Sequence, residues 1–263
     1  MRYVIGILAF LALGLIGAYV VSDELRARLQ AESGYRAYKG GRFDEAIAEY
    51  TSALNNIEDK RAVRRNLAMA HLARARELPA EEAVIHIDEV VSQLTAVIVD
   101  GVADSSLWEL LLNTWVETGR VDEAQAFLEQ RLEKDPSAEN YRLLGWVKAQ
   151  KSDFRGALLA YEKRAELLPN EANSFSSIAI LTWEWMHQDG PTNDYEAKTF
   201  SKRGIEAALI AERLQPGHGS SLVYAGLLYR ELAKRSKDPA EVAALTASAE
   251  STLVKARAGK GTP

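Results

Sequence analysis

The pattern of hydrophobic and polar positions begins with an uninterrupted apolar segment. Residues 3–21 carry no charged side chain, and Ser22, Asp23 and Glu24 follow them directly. A helix of this length spans roughly 28 Å at about 1.5 Å of rise per residue, close to the hydrocarbon thickness of a bilayer. The segment therefore predicts an N-terminal transmembrane anchor in residues 1–22 that contacts the lipid bilayer through residues 3–21.

Two alternatives exist for this segment. A cleaved signal peptide usually has a shorter apolar core of about 7–15 residues, with small residues near the cut. Ala18 and Ser22 could supply such a site, and a buried helix is the other alternative. Gly14 and Ala18 also lie one helical turn apart, a spacing that lets two membrane helices approach and so allows self-association. We favour the uncleaved anchor.

Beyond residue 30 the apolar positions recur with the period of an α-helix. Most of the 17 glycines and 7 prolines fall between these periodic segments, while Ala, Leu, Glu, Arg and Lys fill them. The composition predicts an all-α chain. Ala124 and Ala157 lie 33 residues apart, as do Pro136 and Pro169, so the helices repeat with a fixed period.

The repeat resembles the tetratricopeptide repeat (TPR), a motif of about 34 residues that forms a helix-turn-helix pair. Three stretches carry its small, aromatic and turn positions in register. The first match is Gly34, Gly41, Ala46, Tyr50 and Ala53. The second is Trp108, Leu111, Trp115, Gly119, Ala124, Leu128 and Pro136. The third is Tyr141, Leu144, Gly145, Phe154, Ala157, Tyr161 and Pro169.

Three further units are stretched relative to the motif by longer helices or by an inserted loop. The resemblance implies an all-α TPR-like superhelix of about six helix pairs in residues 23–258, behind the transmembrane helix and before a flexible tail at 259–263. The six units are expected at residues 27–56, 61–100, 105–136, 138–169, 172–216 and 219–258. Trp108 and Trp115 are then expected in the core.

The net charge and the reactive side chains exclude several classes of function. The 37 acidic and 32 basic residues give a net charge of -5, which argues against nucleic acid as a partner. Cysteine is absent. The four histidines, His71, His86, His187 and His218, stand at spacings that form no metal-binding face. We predict no cofactor, no metal and no enzymatic activity. A converging acid, base or metal cluster in the stretched units would be needed for an enzyme.

In the TPR family the first helix of each unit lines a concave groove. The resemblance gives this peptide-binding role to Tyr35, Tyr38, Arg65, Met69, Glu109, Asn113, Arg142, Trp146, Trp183 and Arg230. Such a wall suits an extended or helical peptide with some acidic character. Members that bind chaperone tails carry Lys and Asn where this chain has Ala31 and Tyr35, so that partner is not predicted.

The resemblance to membrane-anchored bacterial members predicts a tethered scaffold or adaptor that binds a protein or peptide and supports assembly of an envelope complex. The alternatives are a cytosol-facing receptor or assembly factor on an organelle membrane, and a cleaved, soluble periplasmic TPR protein. The predicted location is a single pass through the inner (cytoplasmic) membrane with the repeat domain on the periplasmic side. Lys and Arg after the apolar segment support the alternative, a cytoplasmic repeat domain.

Overall fold

The computed structural model describes residues 23–99, 105–188, 190, 193–217 and 219–259, and all regular secondary structure among them is helical. The first helix, α1, covers residues 23–39 of this part. The others are α2 Phe43–Leu54, α3 Arg61–Ala75, α4 Ala80–Val99, α5 Ser105–Glu117, α6 Val121–Lys134, α7 Ala138–Gln150, α8 Phe154–Leu167, α9 Ala172–His187, α10 Asp194–Leu214, α11 Gly219–Arg235 and α12 Pro239–Gly259. The all-α prediction is confirmed.

Polar side chains fix where several helices begin. Ser137 Oγ accepts a hydrogen bond from the backbone N–H of Asn140 at the start of α7 (3.4 Å). Asp153 caps α8 in the same way, by accepting from the backbone N–H of Gly156 (2.9 Å). Because the first N–H groups of a helix have no partner within it, each cap stabilises the chain where the loop ends.

Left-handed residues mark the turns after three helices. Gly41 follows α1 with φ +73°, and Gly119 follows α5 with φ +75°. Ser152 holds the matching place after α7 with φ +59°. Glycine adopts this conformation freely, whereas a side chain makes it costly. The turn before α8 therefore carries a strain that the two glycine turns avoid.

The described residues form two compact units, one up to Gly119 and the other from Arg120 onward. In the first, α2 packs on α3, α3 on α4 and α4 on α5. Its core around Tyr50 and Leu67 joins α1, α2 and α3 through small residues such as Ala37 and Ala46. Trp108 and Trp115 of α5 are 6% and 4% exposed, which confirms their predicted place in the core.

In the second unit each helix from α6 to α12 packs against its neighbours in sequence, and α9 also contacts α11. The rings of Phe154 on α8 and Trp185 on α9 stack with centroids 5.7 Å apart. A second cluster around Met186 and Leu228 joins α9, α10 and α11. Contact between alternate helices places α9 and α11 side by side, as the first helices of successive pairs stand in a repeat array.

The membrane prediction needs correction. Among the residues that the structure describes, none of the helices has both the length and the apolar character needed to cross a membrane. The predicted location, a single pass through the inner membrane with a periplasmic repeat domain, is therefore not supported and is withdrawn. The apolar segment at residues 3–21, from which the anchor was predicted, lies outside the described residues.

Candidate functional site

Two of the helices that carry predicted binding residues, α1 and α7, pack closely against the helix that follows them through a glycine. A Cβ atom added to Gly34 would lie 2.9 Å from Cδ1 of Tyr50, and one added to Gly145 would lie 2.5 Å from Cε1 of Tyr161. Each tyrosine ring on a second helix thus presses directly on the backbone of a first helix. Burial raises the pKa of Tyr50 and raises that of Tyr161 to about 12. These tyrosines are structural and fix the neighbouring surface.

In the first unit, α1 presents Tyr35 and Tyr38 differently. Tyr35 is 50% exposed, and Lys39 Nζ lies 6.0 Å from its ring centroid. Tyr38 is half-buried against the core, with its ring centroid 5.7 Å from that of Phe43. Tyr35 is therefore available to a partner over a larger area than Tyr38, which also serves to hold α1 in place.

The other predicted residues of the first unit form two pairs. Arg65 is exposed and Met69 half-buried on α3, while Glu109 and Asn113 are both exposed on α5. Residues four apart share one face of a helix. Each pair is thus available on a single face of its own helix.

In the second unit the structure brings together two arginines from α7 and α8. Arg142 donates to both carboxylate oxygens of Glu139 (2.9 and 2.7 Å). Arg164 Nη1 donates to the backbone carbonyl of Asn173 and to Ser177 Oγ, both at 3.2 Å. Burial lowers the pKa of Arg164, and the charge of Arg142 lowers it further. The two guanidinium groups therefore share one region, which sequence spacing did not reveal for Arg164.

The other predicted residues of the second unit lie on α7, α9 and α11. Trp146 lies one turn after Arg142 and is half-buried. On α9, Trp183 stacks on His187 with ring centroids 5.0 Å apart, and it lies 5.7 Å from the ring of Tyr224 on α11. Tyr224 was missed by the sequence analysis because its partner is on another helix. Arg230, farther along α11, is exposed.

Beside this cluster, Glu184 stands between Trp183 and Trp185 on α9 and is half-buried. Desolvation by burial raises the pKa of its carboxyl group. Its charge also contributes to the raised pKa of Tyr161, so it lies close to the arginine region. This carboxylate limits the positive charge there.

The histidines of α3 and α4 are not isolated, although their sequence spacing suggested it. Nδ1 of His71 and Nδ1 of His86 are 2.9 Å apart. Burial lowers the pKa of His71, and the charge of His86 lowers it further, while Glu89 opposes both. A hydrogen bond between two ring nitrogens needs one donor and one acceptor, which a neutral pair supplies. Within the described ranges, no three His, Cys, Asp or Glu side chains converge as metal ligands do.

Solved TPR structures resemble this arrangement of helices. The C-terminal part of a TPR repeat-containing protein from Cytophaga hutchinsonii matches with a TM-score of 0.57 at 13% identity, over 90% of this chain and 88% of that chain. YrrB, described as a TPR protein with an unusual peptide-binding site, matches with a TM-score of 0.43 at 15% identity, over 73% of this chain and 88% of its own. A TPR protein from Parabacteroides merdae gives a TM-score of 0.43 at 12% identity, over 86% and 99%.

No family model matches the sequence, and no curated protein matches it. The likeness to the Cytophaga structure shows the fold: this chain has the tetratricopeptide-repeat fold. The TPR prediction made from the repeat positions is confirmed at that level.

Proposed function

We propose that this chain is a scaffold that binds a protein or peptide partner, and that its second unit takes a peptide segment carrying acidic side chains. The observation that supports this most directly is the placement of Arg142 and the half-buried Trp146 one helical turn apart on α7. The charge of Arg142 also reaches Arg164 on α8, whose pKa is lowered by burial and further by that charge. The remaining predicted residues, on α1, α3, α5, α9 and α11, are proposed to extend the contact within their own units.

The charge of the arginine region favours an acidic ligand. Arg142 is engaged by the carboxylate of Glu139, whereas the hydrogen bonds of Arg164 go to an uncharged carbonyl and an uncharged hydroxyl. Two guanidinium groups that raise each other's electrostatic energy gain from an added carboxylate. Charge-assisted hydrogen bonds of this kind are stronger than those between neutral groups.

The aromatic side chains supply the second part of the contact. Trp146, Trp183 and Tyr224 are each half-buried, so each offers a fixed ring face. Rigid aromatic anchors contribute much of the binding energy in protein interfaces because they bury large areas at a low cost in side-chain entropy. An acidic segment with interspersed apolar side chains fits both parts.

This proposal requires no membrane span. It therefore follows the predicted alternative of a TPR protein without a tether more closely than the tethered scaffold. We also propose that the chain supports the assembly of a larger complex. Binding of one partner segment in one groove is the elementary step of such assembly.

The test uses a fluorescein-labelled peptide of alternating glutamate and phenylalanine and measures its fluorescence anisotropy. The Arg142→Ala/Trp146→Ala double variant is expected to bind it about tenfold more weakly, since one charge-assisted contact and one aromatic contact are lost. Arg257→Ala/Val254→Ala on α12 removes an exposed arginine and an exposed apolar side chain elsewhere and should bind as the unaltered chain does. Equal affinity of the two double variants, or no binding by the unaltered chain, would contradict the proposal.

A further inference from the structure

A cleft of about 440 Å³ opens between α8 and α10, which are the second helices of two successive pairs. Its floor is apolar and comes from Phe175 and Ile178 at the start of α9, and Ile210 of α10 extends it. Ala165 and Ala207 stand on the two walls, where their small side chains leave the space open. This surface, called the α8/α10 cleft below, is lined by none of Arg142, Arg164 and Trp146, although Arg164 stands on the same helix α8.

Two ion pairs show how the walls are aligned. Arg155 binds Glu196, and Glu162 binds Arg203, so each pair joins α8 to α10 across the same offset of 41 residues. The two helices thus run parallel in a fixed register. The second ion pair lies at one edge of the cleft, because both of its residues line it.

One helical turn beyond the ion pair of Glu162 and Arg203, the facing residues of α8 and α10 no longer carry opposite charges. The same offset sets Ala165 against Glu206 and Glu166 against Ala207, and all four residues line the cleft. Each wall therefore contributes one methyl group and one carboxylate at the level where a third ion pair would stand.

The charge at this level is negative. Three glutamates and one arginine line the cleft, and the arginine, Arg203, is engaged by Glu162. Glu166 accepts a hydrogen bond from Lys163 on its own helix (2.6 Å), and Glu206 is exposed and has no hydrogen bond or ion pair within the described part of the chain. Lys163 and Lys202 lie beside the lining residues, but neither lines the cleft.

We propose that the α8/α10 cleft docks a cationic partner segment in which a bulky apolar side chain enters the cleft and flanking Lys or Arg side chains meet Glu166 and Glu206. Apolar burial supplies the attraction, and the two carboxylates, one on each wall, select the charge of the flanking residues. This site goes beyond the proposed function, because it prefers the opposite charge and is lined by other residues. The chain then holds two different segments at once.

The test uses a fluorescein-labelled peptide in which a Leu-Phe pair is flanked by two lysines on each side. In anisotropy titrations, Glu166→Lys/Glu206→Lys is expected to bind it at least about tenfold more weakly than the unaltered chain, because attraction becomes repulsion. Glu133→Lys/Glu250→Lys changes the net charge by the same amount at exposed sites on α6 and α12 and is expected to stay within about twofold. Circular dichroism establishes that both variants are folded.

A second arm needs no change in the protein. Replacing the Leu-Phe pair of the peptide by two alanines should weaken binding by about tenfold or more, since the cleft then buries little apolar surface. Equal binding of both peptides, or equal weakening by the two charge-reversal variants, would show a non-specific charge effect and overturn the proposal. Loss of the cationic peptide in Arg142→Ala/Trp146→Ala would overturn it too, because that variant leaves the cleft intact.

Discussion

The pairs α7/α8 and α11/α12 are closed by the same kind of contact, but the two residues that make it are separated differently along the chain. Gly145 meets Tyr161, 16 residues later, whereas Gly226 meets Leu253, 27 residues later. The helices of the first pair have 13 and 14 residues, and those of the second have 17 and 21. The close approach of two backbones is therefore kept, while the length of chain between them varies.

The two contacts differ in the side chain that presses on the glycine. Tyr161 offers a flat, rigid ring whose burial raises its pKa to about 12. Leu253 is half-buried, as Tyr161 is, but its side chain is branched and flexible. A rigid ring cannot change its shape around an added methyl group, whereas a flexible aliphatic side chain can partly do so by changing rotamer. The α7/α8 pair, called the regular pair below, should consequently lose more stability than the long α11/α12 pair when a methyl group is added to its glycine.

The largest expected effect is that of Gly145→Ala. Its Cβ would lie 2.5 Å from the ring of Tyr161, so the helices must separate, and we expect the free energy of unfolding to fall by about 3 kcal/mol. Urea denaturation followed by circular dichroism measures this. Gly40→Ala is the control, because the nearest atom to its Cβ, at 2.8 Å, would be the end of the flexible Arg42 side chain. Equal losses in the two variants would show that the tyrosine contact is not limiting.

Gly226→Ala should cost less, about 1–2 kcal/mol, although its Cβ would lie 2.6 Å from Cγ of Leu253. A double-mutant cycle with Leu253→Ala isolates the clash, since truncating the leucine makes room for the new methyl group. We expect the combined variant to be more stable than the sum of the two single losses predicts. Strict additivity would mean that the nearby carbonyl of Ala249, 3.3 Å away, is what resists the methyl group.

This contrast also explains what could be predicted from the sequence. The regular pairs place glycine, alanine and tyrosine at fixed separations, so Gly145 and Tyr161 could be assigned to one contact type and the TPR fold could be predicted. Leu253 could not be matched to Gly226 in this way, because the extra length of α11 and α12 changes the separation.

The candidate site was less predictable than the fold, because its contacts join residues far apart in the sequence. Arg164 approaches Arg142 from another helix, and Tyr224 meets Trp183 across 41 residues. The contact of His71 with His86 likewise depends on how α3 and α4 lie side by side. Spacing along one helix shows which residues share a face, but only packing shows which faces meet.

The turns allow a smaller test of the regular pairs. Ser152→Gly should raise the free energy of unfolding by about 0.5–1 kcal/mol, because glycine adopts φ +59° without the steric cost paid by serine, although part of the gain is lost to the greater entropy of the unfolded chain. Gly41→Ser is the reciprocal control. A Cβ at Gly41 would have no atom within 4 Å, so any loss there reports backbone conformation alone. Destabilisation by Ser152→Gly would contradict the expectation.

The smallest effect concerns α3/α4, where an imidazole pair adds a polar contact between two helices, and it is a loss of stability that should appear only below neutral pH. Burial lowers the pKa of His71 from its usual 6.5, so the folded chain binds this proton less readily than the unfolded chain. The contribution to stability is therefore complete above about pH 6.5, and as the pH falls through that value the unfolded chain takes up the proton and stability is lost.

Urea unfolding at about pH 7.5 and about pH 5.5 measures this difference, because the two values lie on either side of the ordinary histidine pKa. His71→Gln, which cannot titrate but keeps a polar side chain beside His86, should lose less stability between them than the unaltered chain. An identical pH dependence in His71→Gln and the unaltered chain would mean that Glu89 offsets the burial of His71, and that the α3/α4 contact adds no sensitivity to acid.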